Sequence, residues 1–232
     1  MAVPTDSGET FLREVDENLR RDQLQDIARK YGAWIIAGVV LLLAATGGWI
    51  YWQDRQEKAA AGQSEVLAQI YTDIGAGKLG NVPQRLEALA ADSSGALRAS
   101  AMLTRAAVAV EQNDRALATA KFREIAADDG LPQPYRDIAL IRGTAVEFDT
   151  VRPEQVIARL EPLAKPGNPW FGSAGELTAM ALLKQGKKLE AGRLFAAIAA
   201  DRQTPESIRA RAVQIAGTLG VDASASMPAL PQ

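Results

Sequence analysis

Residues 115–149 read RALATAKFREIAADDGLPQPYRDIALIRGTAVEFD, and their spacing decides the fold. Ala118, Phe122 and Ile125 recur at the interval that puts them on one face of a helix, and the polar Asp128-Asp129-Gly130 interrupts it. Pro132 then suits the first turn of a second helix, where a missing N–H costs nothing. The same pattern returns along the chain. Val82, Leu86 and Leu89 stand 36 residues before Ala118, Phe122 and Ile125; Leu160 and Leu163 stand 38 after Phe122 and Ile125, and Phe195 and Ile198 a further 35 on. Pro132, Pro169 and Pro205 keep the same rhythm, 37 and 36 apart. Self-similarity at a fixed period of this length is the signature of a solenoid, in which each supersecondary unit buries its apolar face on the next.

The spacing predicts one unit as a helix, a short turn, a second helix and a proline-started junction. Ala96–Asn113 with Arg115–Asp128, Pro132–Asp149 with Pro153–Lys165, and Pro169–Gly186 with Lys187–Asp201 form three pairs, with Asn113-Asp114 and Gly186-Lys187 as internal turns. An incomplete pair at about 59–92 opens the array, and Pro205–Leu219 closes it. Small residues (Ala101, Ala107, Ala139, Ala145, Ala179, Ala181, Ala191) fall where helices must approach closely. Phe122, Phe148, Phe171 and Phe195 read as fillers between them. The Ala-rich, aromatic-poor composition favours helix throughout. Gly75-Ala76-Gly77-Lys78-Leu79-Gly80 spells G-x-G-x-x-G, but a helical pattern precedes it where a dinucleotide fold needs a strand, so it reads as a helix stop. Residues 1–8 and Val221–Gln232 carry no periodicity and are expected to be disordered.

Ahead of the repeats, Gly32–Trp52 reads GAWIIAGVVLLLAATGGWIYW without a charge. At about 1.5 Å per residue this spans the roughly 30 Å hydrocarbon layer. Tyr31 and Trp34 at one end and Trp49, Tyr51 and Trp52 at the other match the aromatic belts of the two interfaces. The preceding stretch is too long and too mixed in charge for a signal peptide, and Asp54, Arg55, Glu57 and Lys58 intervene before Ala59-Ala60-Ala61. Arg13, Arg20, Arg21, Arg29 and Lys30 precede the span, and only Arg55 and Lys58 follow closely. The positive-inside rule therefore keeps the start in the cytoplasm and translocates the rest, into the periplasm in a bacterium. From Glu9 to Lys30 a helical period places Phe11, Leu12, Val15, Leu19 and Ile27 near one face, either a solvated lead-in or a docking helix. Ala33/Ala37 and Ala44/Gly48 are small pairs suited to lateral helix packing.

With 26 basic against 28 acidic residues, the chain lacks the basic excess that nucleic acid requires. It has no Cys and no His, which removes thiolate chemistry, zinc–sulfur sites and the commonest general base. Acidic residues such as Asp128, Asp129, Asp149, Glu154 and Glu161 fall at turns and outer faces. No Ser-x-x-Lys or Gly-x-Ser-x-Gly is present. The expectation is a protein that is not an enzyme, has no cofactor, metal or small-molecule substrate, and works by binding proteins.

A period near 36 in helix pairs resembles the tetratricopeptide repeat, with its first-helix Trp, Leu-Gly and Tyr positions only partly filled. The whole layout, a short charged helix, an uncleaved span, an Ala-rich helix and about four degenerate repeats, is similar to the bacterial family of tetratricopeptide-like ancillary subunits of the Sec translocon. The reading is an all-α protein divided into a cytoplasmic segment 1–30, a transmembrane anchor 31–52, a periplasmic repeat domain 53–220 and a tail 221–232. The resemblance implies a single-pass inner-membrane protein whose partners are Sec translocon subunits, emerging chains or periplasmic chaperones. The alternatives are a scaffold of another envelope machine, such as outer-membrane assembly or division, and a self-assembling structural protein. A repeat array binds along the face built from the first helix of each pair. Arg98, Arg105, Tyr135, Arg142, Trp170 and Phe171 are the candidates there, a mix of guanidinium and aromatic groups that binding surfaces favour.

Overall fold

The glycine run at 75–80 stops a helix, as its residues dictate. In the computed structural model, which describes residues 7–226 (without the side chains of 7–29, 31, 32, 35 and 56–60), α1 runs from Ser7 to Gly75. Gly77 takes a φ of 71°, open to glycine at no steric cost, and the Lys78 N–H closes the turn onto the Asp73 carbonyl at 2.8 Å. Ser7 and Gly8, read as part of a disordered start, are the first residues of α1. The expected stripe on Phe11, Leu12, Val15, Leu19 and Ile27 lies outside the described side chains.

Eight further helices follow: α2 Val82–Asp92, α3 Gly95–Glu111, α4 Arg115–Ala127, α5 Gln133–Glu147, α6 Pro153–Leu160, α7 Phe171–Lys184, α8 Lys188–Ala200 and α9 Glu206–Thr218. The described chain is all helix and connecting loop, with no strand. It divides into two compact units, residues 1–61 and 62–232. In the first, Ile36–Arg55 is the stretch among the described residues long and apolar enough to cross a membrane. Trp34, Leu41, Trp49, Ile50, Tyr51 and Trp52 are all more than half exposed there, as side chains meant for lipid must be. Tyr31 lies outside the described side chains.

In the second unit the predicted pairs are present, with boundaries set by local chemistry. Asn113 adopts a left-handed φ of 59°, and Asp114 caps α4 by accepting from the Leu117 N–H at 3.0 Å. Gly186 turns with φ 77° between α7 and α8. The prolines sit one step earlier than the first turn. Pro132 and Pro205 occupy N-cap positions, and Pro169 precedes the N-cap Trp170. The second helix of the middle pair is shorter than expected, ending at Leu160 rather than Lys165. Pro162 has no N–H to give to residue 158 and its ring crowds that carbonyl. The chain still delivers Leu163 to the core, 6% exposed, through a turn in which the Leu163 and Ala164 N–H groups both donate to the Leu160 carbonyl.

Four apolar clusters fill the array in sequence order. Leu67, Ile70, Val82, Leu86, Leu89, Ala101 and Val108 form the opening cluster. Met102, Phe122, Ile125 and Leu131 anchor the next, and Ile141, Val156, Leu160, Leu163 and Ala174 the third. Phe171, Phe195, Ile198, Ala212 and Ala216 close the array. Leu86, Phe122, Leu160 and Phe195, all four at the repeat interval, are at most 2% exposed. Of the small residues, Ala101, Ala139, Ala179, Ala181 and Ala191 are buried, whereas Ala107 is half-buried and Ala145 exposed. The expectation of a disordered tail from Val221 fails for residues 221–226. Val221 packs over Gly192, Ala223 is buried, and Arg209 donates to the Ser226 carbonyl at 3.3 Å. Residues 227–232 lie outside the description.

Candidate interaction surface

The first helices of successive pairs stack on one another: α3 touches α5, α5 touches α7, and α7 touches α9. The end of α1 joins this row through Tyr71 Oη, 3.1 Å from Thr104 Oγ1 on α3. Helical register then decides which side chains this row presents. On α3, Ser100, Thr104, Ala107 and Glu111 follow one another at i+4, i+3 and i+4, so one face carries them. With Tyr71, Ile74 and Leu79 from α1 and its turn, and Ile138 and Arg142 from α5, they line a cleft of about 640 Å³. Tyr71 is 48% exposed, large for an aromatic ring outside the lipid-facing stretch, and it stands at this cleft.

Of the six residues expected on the binding face, Arg142 alone lines this cleft. It is exposed, and no ion pair to it is found among the described residues. Arg98 and Arg105 lie seven apart on α3, on the stripe that faces the second helices. They line a different cleft, of about 510 Å³, with Leu86 and Glu87 of α2 and Lys121 and Glu124 of α4. Arg98 there pairs with Asp128 at 2.9 Å, and Arg105 with Glu87 at 3.0 Å. Arg105 is 9% exposed, and its Nη1 is buried without a partner. It is a packed strut between helices, with its stem in apolar surroundings.

The aromatic candidates depart further. Phe171 is 1% exposed and belongs to the closing core cluster, because its place in the first turn of α7 points it at α8 and α9. Tyr135, in the first turn of α5, packs half-buried against the cluster around Phe122. Trp170 is the N-cap of α7 and packs half-buried against the cluster around Leu160. The sequence reading missed Tyr71, Ile74, Thr104 and Ile138. A signal for them exists: Leu103 and Ile138 are 35 apart, as are Ala107 and Arg142, so the repeat that locates the core also aligns the cleft walls.

Further along the row, polar groups tie the first helices together. Lys184 Nζ lies 2.9 Å from Asp149 Oδ1 and 4.3 Å from the Phe148 ring centroid. The hydrogen bond and charge of Lys184 hold the Asp149 carboxyl below its ordinary value. Arg211 donates to both carboxylate oxygens of Glu176, at 2.5 and 2.7 Å, and this hydrogen bonding, with the Glu176 charge, raises the guanidinium further above its already high value.

Stacked helix pairs with a cleft along the first helices, on a chain that carries one helix apolar enough to span a membrane, define a helical-repeat interaction module. The chain belongs to the tetratricopeptide repeat-like domain family, whose match covers residues 12–216. It is 26% identical over 178 residues to the ancillary SecYEG translocon subunit of Escherichia coli (strain K12), covering 75% of this chain and 84% of that protein. No solved structure matches.

Proposed function

We propose that this protein is a single-pass inner-membrane subunit that works beside the Sec translocon, with its N-terminus in the cytoplasm and its repeat unit in the periplasm. There it binds emerging chains or the chaperones that receive them, and it performs no catalysis. The observation that carries this reading is the partly apolar cleft between the stacked first helices of the repeat unit. A cleft of that kind serves a protein whose task is to hold a segment of another. The candidate span Ile36–Arg55, the Lys and Arg excess before it, and the likeness to an ancillary SecYEG subunit support the location. Affinity purification of the full chain in mild detergent is expected to recover translocon subunits; recovery of none removes the translocon from the reading. A phosphatase that is active only outside the cytoplasm, fused after Gln232, is expected to be active. Activity only from a cytoplasmic reporter at that point reverses the orientation.

A further inference from the structure

Three of the four seams between neighbouring first helices carry a polar bridge. Tyr71 meets Thr104 between α1 and α3, Asp149 in the turn just after α5 meets Lys184 of α7, and Glu176 of α7 meets Arg211 of α9. The seam between α3 and α5 has no such hydrogen bond or ion pair among the described residues, although the two helices touch. The 640 Å³ cleft spans that open seam and the neighbouring one, since Tyr71 and Thr104 line it from the α1 side and Ile138 and Arg142 from α5. Its charged lining residues, Glu111 and Arg142, are both exposed, and among the described residues neither is in an ion pair. Glu111 is the last residue of α3 and stands at its end, whereas Arg142 sits in the middle of α5 among Ile138, Leu103 and Val108.

We infer that this seam takes a partner segment in which an apolar side chain is flanked by Asp or Glu, the apolar group filling the cleft and Arg142 clamping the carboxylate. The inference rests on the interaction-module reading and names its ligand chemistry. A guanidinium offers paired donors in a fixed fork that fits a carboxylate, and its planar, weakly hydrated head gives up water readily. Apolar walls around such a contact exclude water and make it stronger than a pair on open surface. The α5–α7 and α7–α9 seams pair their own charges and the α1–α3 seam carries only the Tyr71–Thr104 hydroxyl pair, which leaves Arg142 as the guanidinium that lines the cleft.

The test uses the full chain in detergent and two short fluorescent peptides with blocked ends, each Leu- and Phe-rich around one central Asp or its Asn counterpart. The Asp peptide is expected to bind about tenfold more tightly, as one charge-assisted hydrogen bond provides. Arg142→Gln is expected to reduce the Asp peptide to the affinity of the Asn peptide while leaving the latter unchanged. Glu111→Gln should keep or increase the preference, since it removes a like charge. Arg142→Lys, which keeps the charge and loses the fork, should retain part of it. Equal binding of the two peptides by the unaltered chain, a preference that survives Arg142→Gln, or no binding of either peptide overturns the inference. None of these touches the translocon reading, which fails only if purification recovers no translocon subunit. Far-ultraviolet circular dichroism checks that the exposed Arg142 tolerates replacement.

Discussion

At Gly143 a single absent carbon sets how closely α4 and α5 pack. A Cβ there would lie 2.9 Å from the Cβ of Phe122, which is itself 2% exposed. Replacing Gly by Ala in a helix interior gains about 1 kcal/mol of propensity, but overpacking a filled core costs about 1–3 kcal/mol. Gly143→Ala is therefore expected to lower the urea midpoint, by up to about 2 kcal/mol of stability; a raised midpoint would show that the two helices can separate at little cost. Asp149 makes a different single-residue case. Its carboxyl is held low by Lys184, so its folded value lies below its unfolded one. The contribution is then fully present above the unfolded value and is lost as pH falls through the folded one. Asp149→Asn should lower the Tm slightly near neutrality, with the difference from the parent shrinking as pH falls through the lowered folded value of Asp149, beneath the ordinary Asp range. A difference that persists below that value would assign the effect to something other than this ion pair. Which residues would be core and which would bind was only partly legible. The repeat places Phe122, Phe171 and Phe195 as fillers and all three are buried, but Phe171 and Arg105 also carry binding-surface chemistry, and both are packed inside. Residue type alone does not say toward which neighbour a helical position points.

The helices themselves were more legible than their ends. Period and turn residues located α3, α4, α5, α7 and α8 because each has an apolar face and a Gly, Asn or Asp break at its boundary. The error at α6 came from counting Leu163 as helical: its burial is real, but Pro162 delivers it from a turn. The error at the tail has the same origin. VDASAS shows no helical period, yet packing against α8 and α9 needs only one or two small apolar side chains at the right place. Val221 contacts Gly192, where even a Cβ would meet Val221 Cγ2 at 2.7 Å, and Ala223 is 8% exposed. This segment covers the last apolar face of the array, the role that terminal units must fill. A chain ending at Gly220 is expected to lose about 1–3 kcal/mol through the exposed Val221 and Ala223 contacts, seen as a lower Tm in detergent. An unchanged Tm would make the strap a passive extension.

At the scale of the whole chain, the two units meet different physical demands. Trp34, Leu41, Trp49, Ile50, Tyr51 and Trp52 expose large apolar side chains of the kind a lipid layer accommodates, whereas each of the four core clusters is assembled from residues between Leu67 and Ala223. Stability in a solenoid is close to a sum of unit and nearest-neighbour terms. Among the described residues every cluster is contributed by residues 62–232, so the array is expected to fold without the anchor. In the proposed function the anchor's contribution is location, which holds the repeat unit near membrane-tethered partners and raises their effective concentration. Residues 62–232 produced without the preceding segment are expected to be water-soluble and helical, to unfold in one cooperative transition, and to keep the peptide preference set by Arg142. The same shortened chain should lose the recovery of membrane partners. Circular dichroism, membrane fractionation and the peptide assay check these together. Shortened protein that is unfolded would show that the repeats borrow stability from the segment before Gly62, and retention in the membrane fraction would place a second membrane-binding surface on the repeat unit itself.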